Sequence, residues 1–252
     1  MDKLLTAERP APLCPDLAPQ AELAVLTRVL YRLGYRDHTF GHISYKQPDG
    51  TFLVTPFELE WDEVTPDDIM RMDADGNTLE GQWTITPAIV LHTELHKARP
   101  DIAVAAHNHP PYGTIYTAAG RIPPAYDQTS AMAASDDIVL FNDYVGNVSA
   151  VDAARANVAA VGDKNLALLA NHGVLVLGRS IGDAYFRCST LEWRCRLAWR
   201  VEALGGGKPM PDEQQKIFVE FLRGIGPVPP NVWEAAVRRE LRKDPDAFAG
   251  WF

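Results

Sequence analysis

Cysteine is scarce. Three in 252 residues are too few for the disulfide framework that staples small secreted domains. Cys188 and Cys195 fall on one predicted helix, which separates them by roughly 10 Å and excludes a bridge between them. Both read as reduced packing residues. Long apolar runs are missing as well. No stretch approaches the roughly 18 uncharged apolar residues needed to cross a bilayer, so no membrane partner is expected. Basic clusters are also lacking: 24 Lys and Arg stand against 33 Asp and Glu, for a net charge of −9. That balance argues against nucleic acid and anionic membranes and leaves a small molecule as the expected partner. Met1 to Pro15 shows no basic segment followed by an apolar one, so the expected location is the cytoplasm.

Several catalytic signatures are absent too. No Gly-x-Ser-x-Gly elbow occurs. Gly205-Gly206-Gly207-Lys208 lacks the upstream glycine and preceding strand of a phosphate loop, and reads as a helix end. His92 and His96 lie four apart on a predicted helix. Glu94 is not beside the first histidine, as the His-Glu-x-x-His zinc motif requires, so the pair reads as exposed or helix-packing.

What is present is enough apolar sequence, 46% of residues, to bury a substantial core in one domain. The expected division is a flexible Pro-rich arm at 1–18, the main domain at 19–207 and a helical tail at 208–252. The tail is expected to pack on the domain or on a neighbouring subunit. Leu23, Leu26, Leu30 and Leu33 recur at helical spacing up to Gly34. Phe40 to Tyr45 and Phe52 to Thr55 flank Pro48-Asp49-Gly50 and predict a hairpin. Thr65-Pro66-Asp67-Asp68 predicts a helix start, and Thr86-Pro87 opens another helix carrying Leu91, Leu95 and Ala98. Ser149 with Asp152, and Ser180 with Asp183, predict capped helices reaching Val161 and Leu204. Further helices are expected at Gly113 to Ala119, Glu213 to Leu222 and Asn231 to Lys243, and a strand at Ile138 to Phe141. Helices alternate with strands joined by tight turns, which predicts a mixed sheet covered by helices and not a doubly wound parallel sheet.

Two short stretches look like halves of one site. His107-Asn108-His109 closes the apolar run Ile102 to Ala106, and side chains alternate along a strand, so His107 and His109 point to one side. Asn171-His172-Gly173 interrupts the run from Leu166 to Leu177 at a turn. If these strand ends meet, three neutral imidazoles can hold a divalent metal and leave positions open for water or substrate.

With these landmarks in place, the chain resembles the class II aldolase/adducin family from about Glu22 to Leu204. The resemblance is carried by Phe40-Gly41-His42-Ile43-Ser44, Leu53-Val54-Thr55-Pro56, Asp62 to Asp68, Leu91-His92 through Ala98-Arg99-Pro100-Asp101, His107-Asn108-His109 and Asn171-His172-Gly173. It implies a three-layer α/β/α sandwich around a mostly antiparallel sheet, and a homotetramer with active sites at subunit interfaces. By position, His107, His109 and His172 match the family's metal-binding histidines, implying one divalent ion per subunit (Zn, Mn, Fe or Co). Departures narrow the chemistry. The acid/base glutamate of the family's sugar-phosphate aldolases falls at Ala88, which can neither transfer a proton nor ligate an ion. Its phosphate-binding segments read Gly41-His42-Ile43-Ser44 and Thr55-Pro56-Phe57-Glu58. Glu58 in such a site would repel a phosphate some 4 Å away by roughly 4 kcal/mol at an effective dielectric of about 20. A catalytic tyrosine supplied across the family's interface falls near Asp127, just after Tyr126, which makes this pair the candidate acid/base; the other reading of Asp127 is a turn cap.

The expected activity is therefore that of a metal-dependent carbon–carbon lyase on a non-phosphorylated, aromatic or 2-oxo/hydroxy acid. Decarboxylation tolerates loss of the glutamate better than retro-aldol cleavage, because it needs a proton only after the bond has broken. His42, Phe57, Glu58, Tyr112 and Tyr116 are the candidate substrate-binding residues. The alternatives are a non-haem iron oxygenase, since three imidazoles suit Fe(II) equally, and a non-enzymatic adducin-like interaction domain.

Overall fold

The structure is a computed structural model that describes residues 14–142, 150–224 and 230–252. In chain order the strands are β1 (His42–Lys46), β2 (Phe52–Val54), β3 (Met70–Met72), β4 (Thr78–Glu80), β5 (Val104–Asn108), β6 (Ile138–Phe141), β7 (Leu166–Leu169) and β8 (Val174–Gly178). The helices are α1 (Pro19–Arg32), α2 (Ile89–Ala98), α3 (Pro111–Ala118), α4 (Gln128–Met132), α5 (Val151–Val161), α6 (Ile181–Ala203), α7 (Asp212–Gly224) and α8 (Pro230–Lys243). All eight strands form one sheet in the order β4-β3-β2-β1-β5-β8-β7-β6. Its pairs are antiparallel except β6 with β7.

Period-two alternation sorts the central strands into two cores. Val104, Ala106, Leu168, Val174 and Val176 pack with α1, α6 and α8 on one face. Ala105, Ala167, Leu169, Leu175 and Leu177 pack with Leu91 and Leu95 of α2 and Ala154 and Val161 of α5 on the other. The result is the expected three-layer α/β/α sandwich. The same alternation decides where the polar residues go. His107 has the parity of Ala105, and His42 and Ser44 of β1 stand directly opposite His107 and Ala105. Opposed residues of an antiparallel pair share a face, so all these histidines and Ser44 are delivered to the layer under α2.

Two local expectations differ from the structure. Thr65 starts only a single 3-10 turn, Pro66–Asp68, with Asp68 Oδ2 accepting from both the Thr65 amide (2.9 Å) and its hydroxyl (2.7 Å). The chain then runs directly into β3, where Met70 and Met72 are buried on the sheet around a partly exposed Arg71. β4, for which the sequence carried no expectation, is an edge strand exposed at every position, which leaves no hydrophobic alternation to read. The helix expected after Thr86-Pro87 begins at Ile89, following a turn in which the Ile89 amide bonds to the Thr86 carbonyl (3.0 Å).

Ser149 lies outside the described residues, and α5 is preceded by Ala150 with no side-chain cap. Ser180 does cap α6: its Oγ accepts from the Asp183 amide at 3.1 Å. In the tail, Glu240 of α8 is 1% exposed and accepts from Arg28 (2.9 Å) and Arg32 (2.6 Å) of α1. Burying that carboxylate without both guanidinium groups would be strongly unfavourable, so this contact fixes α8 against the domain.

Candidate metal centre

His107 is the penultimate residue of β5, and His109 follows the strand's last residue. His172 sits in the tight turn between β7 and β8, on the strand paired with β5. One ring nitrogen from each of the three lies within 4.8 Å of the others. Ring centroids are 5.0 Å apart for His107–His109, 4.6 Å for His107–His172 and 4.9 Å for His109–His172.

The turn explains why its sequence is Asn-His-Gly. Asn171 has φ of 55°, a left-handed conformation that Asn tolerates and β-branched or bulky residues do not. A Cβ on Gly173 would fall 2.2 Å from His109 Cδ2 and 2.6 Å from the Asn108 carbonyl. Glycine is therefore the residue that allows the turn to close against His109.

The donor set fits a divalent ion. His107 Nδ1 and His109 Nε2 are buried with no hydrogen-bond partner, an arrangement that costs about 1–3 kcal/mol per group unless something occupies the site. Burial holds the His107 imidazole well below its usual pKa and brings His172 down to about 4, so both offer lone pairs at neutral pH. Asp37 supplies a further element: its carboxylate is paired with His109 Nδ1. A carboxylate on the far nitrogen orients an imidazole and raises its basicity as a ligand. Asp37 has no regular spacing from the histidines, and nothing in the sequence pointed to it.

The triad opens on a cavity of about 220 Å³. Besides the three histidines, its walls are His42, Thr86 and the apolar Phe40, Phe57, Pro87, Ala88 and Leu91. Among the described residues no Lys, Arg or carboxylate lines it. Ala88 lies in the wall, as its position in the chain led us to expect. The other candidates divide. His42 and Phe57 line the cavity; Glu58, Tyr112, Tyr116, Tyr126 and Asp127 are not among its lining residues.

Glu58 is exposed and turned to Thr84, accepting from its hydroxyl (2.6 Å) and its amide (3.0 Å). Repulsion of a phosphate by Glu58 therefore does not operate in this cavity; the absence of any lining cation takes its place. Tyr112 packs its ring on Trp199 at 5.7 Å, and the Tyr116 hydroxyl donates to Glu202 (2.9 Å). Asp127 caps α4, accepting from the Ser130 amide (2.7 Å), and takes the Trp193 indole N–H on its other oxygen (3.0 Å).

His92 and His96, expected to be exposed or merely packing, are buried, and His92 bonds directly to cavity-lining His42 (2.7 Å). The missed signal is their four-residue spacing, which sets both on one face of α2, the face that meets His42 and Ser44.

Fold and site together define an α/β protein with a three-histidine metal-type centre at the end of an antiparallel sheet. The chain belongs to the family of the Class II Aldolase and Adducin N-terminal domain, whose profile matches residues 21–199. It is 30% identical over 231 residues to a 4-hydroxy-3-prenylphenylpyruvate oxygenase/4-hydroxy-3-prenylbenzoate synthase of Streptomyces roseochromogenus subsp. oscitans, covering 90% of this chain and 83% of that one. It is 29% identical to the decarboxylase NovR of Streptomyces niveus, covering 88% and 84%. A 5-methylthioribulose-1-phosphate/5-deoxyribulose-1-phosphate aldolase of Rhodospirillum rubrum is 27% identical, covering 77% and 86%. Among solved structures, an aldolase II superfamily protein of Pseudomonas syringae superposes with a TM-score of 0.77 at 26% identity, covering 92% and 97%. The L-fuculose 1-phosphate aldolase of Glaciozyma antarctica has the same fold (TM-score 0.77, 21% identity, covering 92% and 96%). No helix among the described residues is long and apolar enough to cross a membrane.

Proposed function

We infer that this protein is a divalent-metal-dependent carbon–carbon lyase acting on a non-phosphorylated acid, most simply by decarboxylation of a hydroxylated aromatic acid, with retro-aldol cleavage of a 2-oxo/hydroxy acid as the related reaction. The observation that carries the reading is the composition of the cavity: a three-imidazole donor set facing Phe40, Phe57, Pro87, Ala88 and Leu91, with no lining Lys, Arg or carboxylate among the described residues. A phosphate dianion in such walls would have no cationic partner, and a buried unpaired charge is strongly disfavoured. An aromatic ring finds apolar surface there. At about 220 Å³ the cavity is smaller than the roughly 300–1,000 Å³ typical of drug-sized ligands, which suits a single-ring acid.

His107, His109 and His172 would hold one ion (Zn, Mn, Fe or Co), with Asp37 orienting His109. A divalent ion held there would supply Lewis-acid charge to a substrate oxygen, which lowers the cost of leaving electrons on a carbon conjugated with that oxygen. The chain's own residues do the rest. Phe40, Phe57 and Leu91 offer the ring apolar surface to lie against. The bond to the carboxyl carbon breaks, carbon dioxide leaves, and the electron pair remains on the substrate until a proton restores the carbon–hydrogen bond. Ala88 supplies no carboxylate to begin by removing a proton, and decarboxylation requires none.

Tyr126 and Asp127 belong to this reading only as residues supplied by a neighbouring subunit of a homotetramer. The exposed Trp193 and Trp199 on the outer face of α6 support such an assembly.

A second reading, a non-haem iron oxygenase, is favoured by the 30%-identical relative named as an oxygenase. Anaerobic carbon dioxide release from a hydroxylated aromatic acid, and oxygen uptake on an aromatic 2-oxo acid, each measured after metal analysis, separate the two. Anaerobic release with zinc or manganese is expected for the lyase; stoichiometric iron with obligatory oxygen uptake would replace it with the oxygenase.

A further inference from the structure

The loop joining α1 to β1 is tied at two points to the strand end that carries His107 and His109. Asp37 pairs through its carboxylate with His109 Nδ1. Further on, Gly41 lies against Asn108, the residue between the two histidines. A Cβ on Gly41 would collide with the Asn108 side-chain amide and fall 2.7 Å from Trp61 Cζ2, and the Gly41 carbonyl accepts from the Trp61 indole N–H (3.3 Å). Between these ties stands Phe40, in the cavity wall.

Phe40 is 56% exposed, so burial of its own ring does little to fix it. The backbone does. The Phe40 amide donates to the Asp37 carbonyl (3.0 Å), which closes the β-turn Asp37-His38-Thr39-Phe40. His38, the first central residue, has φ of 49°, a left-handed conformation that histidine enters more readily than most residues and in which a β-branched residue is an outlier. One turn thus begins on the residue that orients a candidate ligand and ends on the residue that forms the aromatic wall.

We propose that Phe40 is a specificity-determining residue for ring-bearing ligands, and that Asp37 is the positioning residue that holds it, acting on His109 directly and on Phe40 through the turn. A ligand anchored at the triad then meets an aromatic face already in place, without the entropic cost of ordering an exposed side chain on binding. In its ligand class the proposal rests on the aromatic-acid reading; the coupling of Phe40 to Asp37 rests on the turn and its two ties.

The test measures binding of benzohydroxamate and acetohydroxamate to the zinc-loaded full chain. The two carry the same ion-binding group and differ in phenyl against methyl, so the ratio of their affinities reads the wall, while a weakened zinc site lowers both. Wild type should prefer the phenyl compound, and Phe40→Ala should remove that preference. At saturating zinc, Asp37→Ala and His38→Val should each cut the ratio by about 10-fold, because the ring must then be ordered on binding. His38→Gly, which suits a positive φ, should keep it. Should Asp37→Ala fail to fold, His38→Val breaks the same turn at an exposed position. No phenyl preference in the wild type, a preference that survives Phe40→Ala, or one that Asp37→Ala and His38→Val leave intact, overturns the proposal. A protein that shows the preference and its loss in these variants, yet releases no carbon dioxide from a hydroxylated aromatic acid, keeps the turn and loses the lyase reading, so the two fail separately.

Discussion

The molecule contains two groups of histidines within one layer, put to opposite uses. In the triad, His107 Nδ1 and His109 Nε2 are buried without partners, and ring nitrogens converge within 4.8 Å. In the neighbouring group, His42, His92 and His96 spend their nitrogens on each other and on Ser44. The residue type is the same, but the triad is only partly buried at His109 and His172 whereas His42, His92 and His96 are all buried, and the second group is tied together by hydrogen bonds that the triad lacks. Lone pairs that nothing in the protein uses are free for an ion, whereas lone pairs paired in a chain define a wall. Composition does not draw this distinction, and spacing draws only half of it.

The largest effect that sharpens the comparison is expected from His109→Ala. Zinc affinity should fall by more than about 100-fold, read by metal analysis and calorimetric titration, since one of three ligands is lost. Zinc retained at full stoichiometry would mean that the triad is not the centre.

Next comes acid. Burial brings His96 down to about 4, so its folded-state pKa lies below that of the unfolded chain. The unfolded state then binds more protons between about pH 6.5 and 4, and stability, fully present above that range, is lost as pH falls through it. The contribution is about 3 kcal/mol if fully realised. Urea unfolding of the metal-free protein across this range should show the loss, and His96→Phe should reduce it without removing it, because burial lowers His42, His92, His107 and His172 in the same direction.

Asp37→Asn is expected to weaken zinc binding by about 10–100-fold with little change in unfolding midpoint, because the ligands remain while their orientation is relaxed. Ser44→Ala should do the converse: zinc stoichiometry stays at one, and stability falls by about 1–3 kcal/mol as two buried imidazole nitrogens lose their partner. If Ser44→Ala emptied the centre, the two groups would have to be treated as one.

An effect of similar size to that of His96 concerns a buried carboxyl away from both groups. Glu192 accepts from the Tyr112 and Gly113 amides at 3.0 and 2.9 Å, and burial raises it to about 7. Its folded pKa exceeds the unfolded one, so its stabilisation is complete below about pH 4.5 and is lost as pH rises through 7, opposite in sign to His96. Glu192→Gln should remove a slope on the order of 1 kcal/mol per pH unit between those limits, measured by thermal unfolding.

The parts of the fold that could be read in advance are those with a strong local pattern. The leucines of α1, the Pro-Asp-Gly hairpin, the Ser180 cap and the apolar strands β5 and β8 all announce themselves through periodicity or turn chemistry. β4 could not be read, because an edge strand exposed at every position has no alternation. Thr65 misled for a physical reason: a capping pattern describes the first turn and says nothing of the second, and Met70 and Met72 drew the chain into the sheet. In the site, the parity of His107 and His109 was legible. Glu58 was not placed by its neighbours in sequence, since its contact with Thr84 joins residues remote in the chain.

By itself the sequence determined the donor types and their parity on a strand, because these follow from residue identity and the two-residue period of a β-strand; that Ala88 stands where a carboxylate is usual came from the resemblance to the family. Only the tertiary structure decided which histidines converge and which pair off. Cross-strand register sets His42 opposite His107, the Gly173 turn closes His172 onto His109, and α2 lays His92 and His96 over Ser44. Such contacts depend on distances between segments far apart in the chain, which local pattern does not encode.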